Sequence, residues 1–147
     1  MWNTAILLDS GFYLSLVHPR DQNAGSGARI LTELADGHFG LVYTTNLVIA
    51  ETTTLTAART RGNARALDYL ESLFWGDNRI GIVLRITPAL ELETWNLFKK
   101  VNSSLENRNN NVLSFVDVSL VILSKHHQIE YVASFDKQLD RFLRRVS

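Results

Sequence analysis

Four short stretches of the chain are apolar without strict alternation of apolar and polar residues, and they are rich in branched or aromatic side chains. Longer segments, in which apolar residues recur every three or four positions, separate them. The first pattern is typical of strands buried on both faces of a sheet, and the second is typical of helices. We therefore predict strands at Thr4 to Leu8, Gly40 to Thr44, Ile80 to Ile86 and Glu130 to Ser134.

Helix-period segments fill the gaps between these strands and follow the last of them. We predict helices at Gly11 to Val17, Gly27 to Ala35, Asn46 to Thr60, Asn63 to Trp75, Pro88 to Val101, Val112 to His127 and Lys137 to Arg145. Strands that alternate with helices favour a parallel sheet covered on both sides. The expected fold is therefore α/β, a three-layer α/β/α sandwich with a mostly parallel central sheet.

Length and composition narrow the class of protein. The chain has 147 residues, about the size of an average domain, so we predict one domain over residues 1–147. Hydrophobic residues make up 46% and charged residues 20%, which excludes a disordered chain. Lys plus Arg and Asp plus Glu both number 15, so no net charge attracts nucleic acid or a membrane. A polyanionic partner must be bound by local charge or by metal.

Several features predict a cytoplasmic protein. The chain has no cysteine, which excludes disulfide scaffolds, cysteine-zinc sites and thiol catalysis. No Lys or Arg precedes Arg20, and Asp9 interrupts the apolar N-terminal stretch, so we expect no export signal. The longest uncharged run, Gly37 to Ala50, is too short and too polar to span a bilayer.

Two acids follow predicted strands, and two others lie in predicted helices on faces that are otherwise apolar. Asp9 and Asp136 stand near the carboxyl ends of strands, where α/β sheets bind ligands, although each is equally explained as a helix cap. Glu51 shares a helical face with Leu47 and Val48. The fourth acid, Asp117, lies in a helix that is apolar nearly all round.

A buried carboxylate has to be paired with a cation, protonated or bound to metal, because an unpaired buried charge costs several kcal/mol. A structural salt bridge is one alternative, but nearby helical positions offer no Lys or Arg on the faces of Glu51 and Asp117. The other is a shared cluster of Asp9, Glu51, Asp117 and Asp136. Such an oxygen-only site suits Mg²⁺ or Mn²⁺, and it is typical of nucleases that orient water for attack on phosphorus.

The sequence resembles the PIN-domain family, the small Mg²⁺-dependent nucleases that include the VapC-type toxins of toxin-antitoxin pairs. Four fragments carry the resemblance, and their order and spacing span nearly the whole chain: Leu7 to Gly11, Thr44 to Glu51, Leu113 to Asp117 and Ala133 to Lys137. There are two departures. Many members have a hydroxyl where this chain has Gly11, and often an acid where it has Asn109 to Asn111.

The resemblance implies a metal-dependent endoribonuclease, the toxin of a type II toxin-antitoxin pair. It implies that Asp9, Glu51, Asp117 and Asp136 bind Mg²⁺ or Mn²⁺ and are catalytic. Ser10 and Ser114 are then the hydroxyls that support these acids. The partners it implies are an RNA substrate, a cognate antitoxin protein and a second copy of the chain. An RNA-processing nuclease outside a toxin-antitoxin pair, or a catalytically silent scaffold that binds metal or RNA, remains an alternative.

Other residues carry weaker signals. Two other enzyme classes do not fit. A phosphoacceptor receiver domain would have an acidic pair after its first strand, where this chain has a single acid, and a haloacid-dehalogenase-type phosphatase would have Asp-x-Asp there, but position 11 is glycine. Asp140 is better explained as a solvated helix charge than as a ligand. The four histidines do not suggest zinc. The candidates for contacting phosphates are Arg59, Arg61, Arg65, Lys99, Lys100, Arg108, Arg141, Arg144 and Arg145, and the sequence alone selects none of them.

Overall fold

The structure is a computed structural model, and it describes residues 4–103 and 112–147. In these residues, five short strands are interspersed with six α-helices along the chain. A short 3-10 helix lies between the last two strands. In chain order the elements are β1 (Ala5–Leu8), α1 (Ser10–Val17), α2 (Ala24–Ala35), β2 (Leu41–Thr45), α3 (Asn46–Arg59), α4 (Ala64–Phe74), β3 (Ile82–Leu84), α5 (Pro88–Ser103), α6 (Phe115–His127), β4 (Tyr131–Ala133), the 3-10 helix (Lys137–Arg141) and β5 (Arg144–Val146).

The strands form one sheet in the order β3-β2-β1-β4-β5, and every neighbouring pair is parallel. Helices α1 to α4 pack against one another, and α5 packs against α6. Because crossovers between parallel strands are right-handed, these two groups cover opposite faces of the sheet. The predicted three-layer α/β/α sandwich is confirmed. No described helix is long and apolar enough to cross a membrane.

The core is built on the central strand and on the helix that follows it. Ile6, Leu7 and Leu8 of β1 are fully buried, as expected for a strand covered on both faces. Phe12 and Tyr13 of α1 are fully buried as well. Burying side chains of this size stabilises the fold by about 1.5 to 3 kcal/mol each, so β1 and α1 hold fixed the residue between them, Asp9.

The predicted helix from Lys137 to Arg145 is wrong. The chain instead forms the 3-10 helix and then the edge strand β5, which pairs in parallel with β4. This stretch looks like a surface helix because five of its residues are charged, namely Lys137, Asp140, Arg141, Arg144 and Arg145. Pairing with β4 overrides the local propensity. An arginine-rich edge strand is also a common protection against pairing with other chains.

The predicted start of the helix at Val112 is also wrong, because α6 begins at Phe115. Ser114 caps the helix through its side chain, and it has extended backbone angles that no helical residue adopts. Asp117 therefore lies in the first turn of α6 rather than in the middle of a helix. Its backbone is fixed by the cap, and its carboxylate lies near the edge of the sheet at which α6 begins.

Candidate metal centre

The strand order reverses direction between β1 and β4, and this switch point is where open parallel sheets form a crevice at their carboxyl ends. Asp9 follows β1 directly, and Ser134 follows β4. The backbone N–H of Asp9 donates to the carbonyl of Ala133 at 3.0 Å, which joins the two strand ends. Helices α1, α3 and α6 all begin at this edge of the sheet.

Both carboxylate oxygens of Asp9 accept hydrogen bonds. Oδ1 accepts from the backbone N–H of Ser10 at 2.8 Å, and Oδ2 accepts from the hydroxyl of Ser134 at 2.7 Å. The Ser134 oxygen in turn accepts from the backbone N–H of Asp136 at 3.1 Å, and Asp136 Oδ1 accepts from the N–H of Gln138 at 3.0 Å. Asp9 and Asp136 are therefore both helix caps, as the simpler interpretation predicts, and Ser134 links them into one unit.

Glu51 reaches the same edge from the second turn of α3, which Thr45 caps. Its Oε1 accepts a hydrogen bond from the hydroxyl of Ser10 at 3.1 Å. Its Oε2 is buried and has no hydrogen-bond partner in the described part of the chain. A buried carboxylate oxygen without a partner is costly, so this atom is a candidate ligand atom for a cation.

Asp117 and Ser114 form a capping box at the start of α6. The Ser114 hydroxyl accepts from the backbone N–H of Asp117 at 3.0 Å, and Asp117 Oδ2 accepts from the backbone N–H of Ser114 at 3.1 Å. This reciprocal pair fixes the carboxylate of Asp117. Ser114 and Ser10 therefore each form a hydrogen bond to the side chain of one of the four acids.

The electrostatics of the site couple all four acids. Burial, and next the charge of Asp117, raises the pKa of Asp9 from 3.8 to about 7, against hydrogen bonds from Ser134 and Ser10 that act to lower it. Burial also raises the pKa of Glu51, and the nearby negative charge of Asp117 adds to this shift. The pKa of Asp117 is itself raised by burial, and the negative charge of Asp136 adds to that shift. Like charges are therefore held together in a poorly solvated place.

Four ion pairs are described among residues 4–103 and 112–147, and they join Arg29 to Glu33, His126 to Glu93, Arg144 to Glu130 and Arg145 to Asp140, so none of these four involves an acid of the site. The same residues contain no group of three or more His, Asp or Glu side chains arranged as a ready-made metal site. The acids are nevertheless coupled in charge, offer only oxygen ligands and leave Glu51 Oε2 without a partner. This donor set fits a hard divalent cation.

Sequence reasoning missed two residues that organise the site. Ser134 is the hydroxyl between Asp9 and Asp136, and its carbonyl accepts a hydrogen bond from Arg145 at 3.2 Å. Arg145 also forms two hydrogen bonds to Asp140, so this acid is an ion-pair partner on the surface. No spacing in the sequence indicates either role, because both depend on how the ends of β4 and β5 lie beside β1.

The remaining candidates are scattered. Arg144 pairs with Glu130. Lys99 and Lys100 are exposed on α5. The stretch from Asn109 to Asn111, and Arg108 beside it, lie outside the described residues.

Ser134→Ala should weaken the binding of Mg²⁺ by about 10- to 100-fold, because removing a hydrogen-bond partner of a metal ligand has an effect of this size. Metal affinity is measured from the rise in melting temperature as Mg²⁺ is added. Ser124→Ala is the matched control, since Ser124 is also buried and donates only to the carbonyl of Val121. Equal affinities for the two variants would show that Ser134 has no part in orienting the acids.

A parallel sheet in the order 3-2-1-4-5, with four acids near the carboxyl ends of its strands, is the framework of a PIN domain. The family model of the PIN domain matches residues 6–144. The chain belongs to this family.

Among solved structures, the fold is similar to the crystal structure of VapC20 from Mycobacterium tuberculosis, a Sarcin-Ricin loop cleaving toxin. The TM-score is 0.71, the sequences are 23% identical, and the alignment covers 92% of this chain and 93% of that one. A comparison with curated protein sequences finds no match.

Proposed function

We propose that this protein is a metal-dependent endoribonuclease that acts as the toxin of a type II toxin-antitoxin pair. The observation that carries the proposal is the group of four acids, coupled by their charges, at the switch point of a PIN-family sheet. The similar fold of VapC20, which cleaves the Sarcin-Ricin loop, supports RNA as the substrate class.

Asp9, Glu51, Asp117 and Asp136 would hold the ion, which we take to be Mg²⁺ or Mn²⁺ because the ligands are all oxygen. The chemistry that such an ion supplies when bound is to orient a water for in-line attack and to neutralise the charge that builds on phosphorus and on the leaving oxygen. Without it, four carboxylates would repel a phosphodiester. The same acids therefore make the approach of the scissile phosphate to the site, and its cleavage, depend on the ion.

The side chains of the protein divide the remaining work. Ser10 holds Glu51 through Oε1, and Ser134 holds Asp9 through Oδ2, so the two acids keep their orientation before any ligand arrives. Glu51 Oε2 has no partner among the described residues, so it is free to bind a cation or to accept a proton from water. Asp9 is buried and bonded at both oxygens, which suits a fixed ligand better than a mobile base.

The proposal extends to location and partners. We expect the protein to act in the cytoplasm, where RNA and a cognate antitoxin protein are both present. We also expect it to form a homodimer. Trp75 and Trp95 support a protein contact surface because they are 61% and 46% exposed, which is unusual for tryptophan.

Purified protein should cut RNA only when Mg²⁺ or Mn²⁺ is present. The test is cleavage of a labelled single-stranded RNA in excess EDTA and again after Mn²⁺ is restored above the chelator. We expect no product in EDTA and full recovery with Mn²⁺. Full activity in EDTA would contradict metal dependence, whereas no cleavage under any condition would favour a catalytically silent scaffold.

A further inference from the structure

A cleft on the same helical layer collects four arginines away from the acids. It has a volume of about 740 Å³ and lies between the end of α1 and the turn that joins α3 to α4. Arg20, Arg59, Arg61 and Arg65 line it together with Asn63 and Tyr69. No acidic residue of the described chain is part of the lining. We call this feature the arginine cleft.

The four arginines are exposed and take part in no ion pair within the described residues. By contrast, Arg29, Arg144 and Arg145 elsewhere on the surface each pair with an acid. The helix ends near the cleft change its positive charge little, because each helix end contributes only about half a charge. The start of α4 contributes positive charge, and the ends of α1 and α3 contribute negative charge. The cleft is therefore strongly positive in a protein whose formal net charge is zero.

Arg61 has a backbone conformation that arginine rarely adopts. Its φ is 54°, in the left-handed region, and the N–H of Gly62 donates to the carbonyl of Ala57 at 2.8 Å. This is the hydrogen bond of a helix C-terminal motif whose left-handed position usually holds glycine. Arginine at this position adds charge to the cleft where glycine would suit the backbone better.

Two helices connect the cleft to the acids. Helix α1 begins at Ser10, which bonds to Glu51, and ends at Val17 in the cleft wall. Helix α3 carries both Glu51 and Arg59, eight residues apart. At a rise of 1.5 Å per residue, each helix places the cleft about 10 to 12 Å from the acids along its axis. In a duplex, each strand has one phosphate per about 3.4 Å of helix axis, so that distance corresponds to about three phosphates of a stacked strand.

We propose that the arginine cleft binds backbone phosphates of an RNA strand whose scissile bond lies at the four acids. The proposal rests on the ribonuclease function proposed above. A guanidinium group matches the geometry of phosphate oxygens and keeps its charge at neutral pH. Tyr69 at the rim offers an aromatic face on which a base can stack. Because its contacts are to phosphates, the cleft adds affinity for longer RNA and no preference for sequence.

The first test measures binding of a labelled oligouridylate of about 16 nucleotides in EDTA, so that cleavage does not occur. Arg61→Gly and Arg65→Gln should each weaken binding and lower the slope of log affinity against log salt by about 0.7, the value for one phosphate contact with a single strand. Arg79→Gln is the matched control, because Arg79 is exposed, unpaired within the described chain and not part of the cleft lining. Equal slopes in wild type, Arg61→Gly and Arg65→Gln would overturn the proposal.

Folding is checked separately. Arg61→Gly should melt no lower than wild type, since glycine fits the left-handed position. A loss of binding in a variant that melts normally supports the proposal. If Arg61→Gly melts lower, Arg65→Gln alone decides, because Arg65 lies on the exposed surface of α4.

The second test separates this proposal from the ribonuclease function. With Mg²⁺, the cleft variants should raise KM for the oligouridylate and leave kcat unchanged, and they should cut a dinucleotide as wild type does. A wild type that cuts neither substrate would count against a ribonuclease without sequence preference, while the binding slopes in EDTA still test the cleft. Displacement of the RNA by poly-glutamate at equal charge concentration would indicate an acidic protein segment as the occupant and would overturn the assignment to RNA.

Discussion

Asp117→Asn should abolish RNA cleavage while leaving the metal-free protein at least as stable as wild type. Loss of a partner that merely orients a metal ligand reduces activity by about 10- to 100-fold, so loss of a ligand itself should exceed about 100-fold. Asparagine keeps the shape of the side chain and one oxygen for the N–H of Ser114, so the capping box survives in part. The variant removes charge and little else.

The direction of the stability change follows from the pKa of Asp117. Burial raises it, the backbone hydrogen bond from Ser114 lowers it, and the charge of Asp136 raises it, with a net shift upward. A raised pKa means that the fold favours the uncharged form of this side chain. Replacing the carboxylate by a neutral amide should therefore increase the free energy of unfolding at neutral pH, by on the order of 1 kcal/mol.

Thermal melts of wild type and Asp117→Asn at neutral pH, with and without Mg²⁺, measure this result. Mg²⁺ should stabilise wild type far more than the variant, because a ligand that binds only the native state raises its stability by mass action. Asp68→Asn is the matched control, since Asp68 is exposed on α4 and distant in sequence from the site. A variant destabilised by about 3 to 5 kcal/mol would instead indicate a broken buried ion pair.

The metal-free protein should lose stability as the pH rises from about 4 to about 7 because of Asp9. The pKa of Asp9 is about 7 in the fold and 3.8 as its ordinary value, so the native state binds a proton that the unfolded chain releases. The contribution of Asp9 is thus fully present below the unfolded pKa and is lost as the pH rises through the folded one. At about 1.4 kcal/mol for each pKa unit, it is at most about 4 kcal/mol.

The comparison between wild type and Asp9→Asn isolates this contribution from the other carboxylates of the chain. Asparagine does not titrate, so the difference in unfolding free energy between the two proteins should change with pH between 4 and 7 in EDTA. The unfolding free energy of wild type should fall relative to that of the variant as the pH rises. Saturating Mg²⁺ should remove most of the effect, because a bound cation favours the charged form. A pH-independent difference in EDTA would show that Asp9 is not in a repulsive cluster.

The fold could be predicted from the sequence largely because its central elements are simple. Strand β1 is uniformly apolar and fully buried, and the helix-period segments match α1 to α5 with boundaries that differ by a few residues. The strand β5 could not be predicted in the same way. Arg144 and Arg145 have no strand pattern of their own, and β5 exists because its backbone pairs with β4.

The site could be predicted in part for a similar reason. Asp9 and Asp136 follow strands, so the parallel sheet itself brings them to one edge. Ser134 has no sequence signal for its role, because a hydroxyl that joins two acids is defined by the distance between strand ends and not by spacing along the chain. The arginine cleft is similar, since Arg20 and Arg61 are far apart in sequence and come together only when α1 and α3 pack side by side.

We expect the four acids to share a divalent cation with which the protein cuts RNA. Anomalous X-ray scattering from crystals of the protein grown with Mn²⁺ tests it most directly, because the signal locates the ion without assumptions about its ligands. Our account predicts a peak bounded by Asp9, Glu51, Asp117 and Asp136, absent from crystals of Asp117→Asn. An ion bound elsewhere, or no ion in protein that still cleaves RNA, would contradict it.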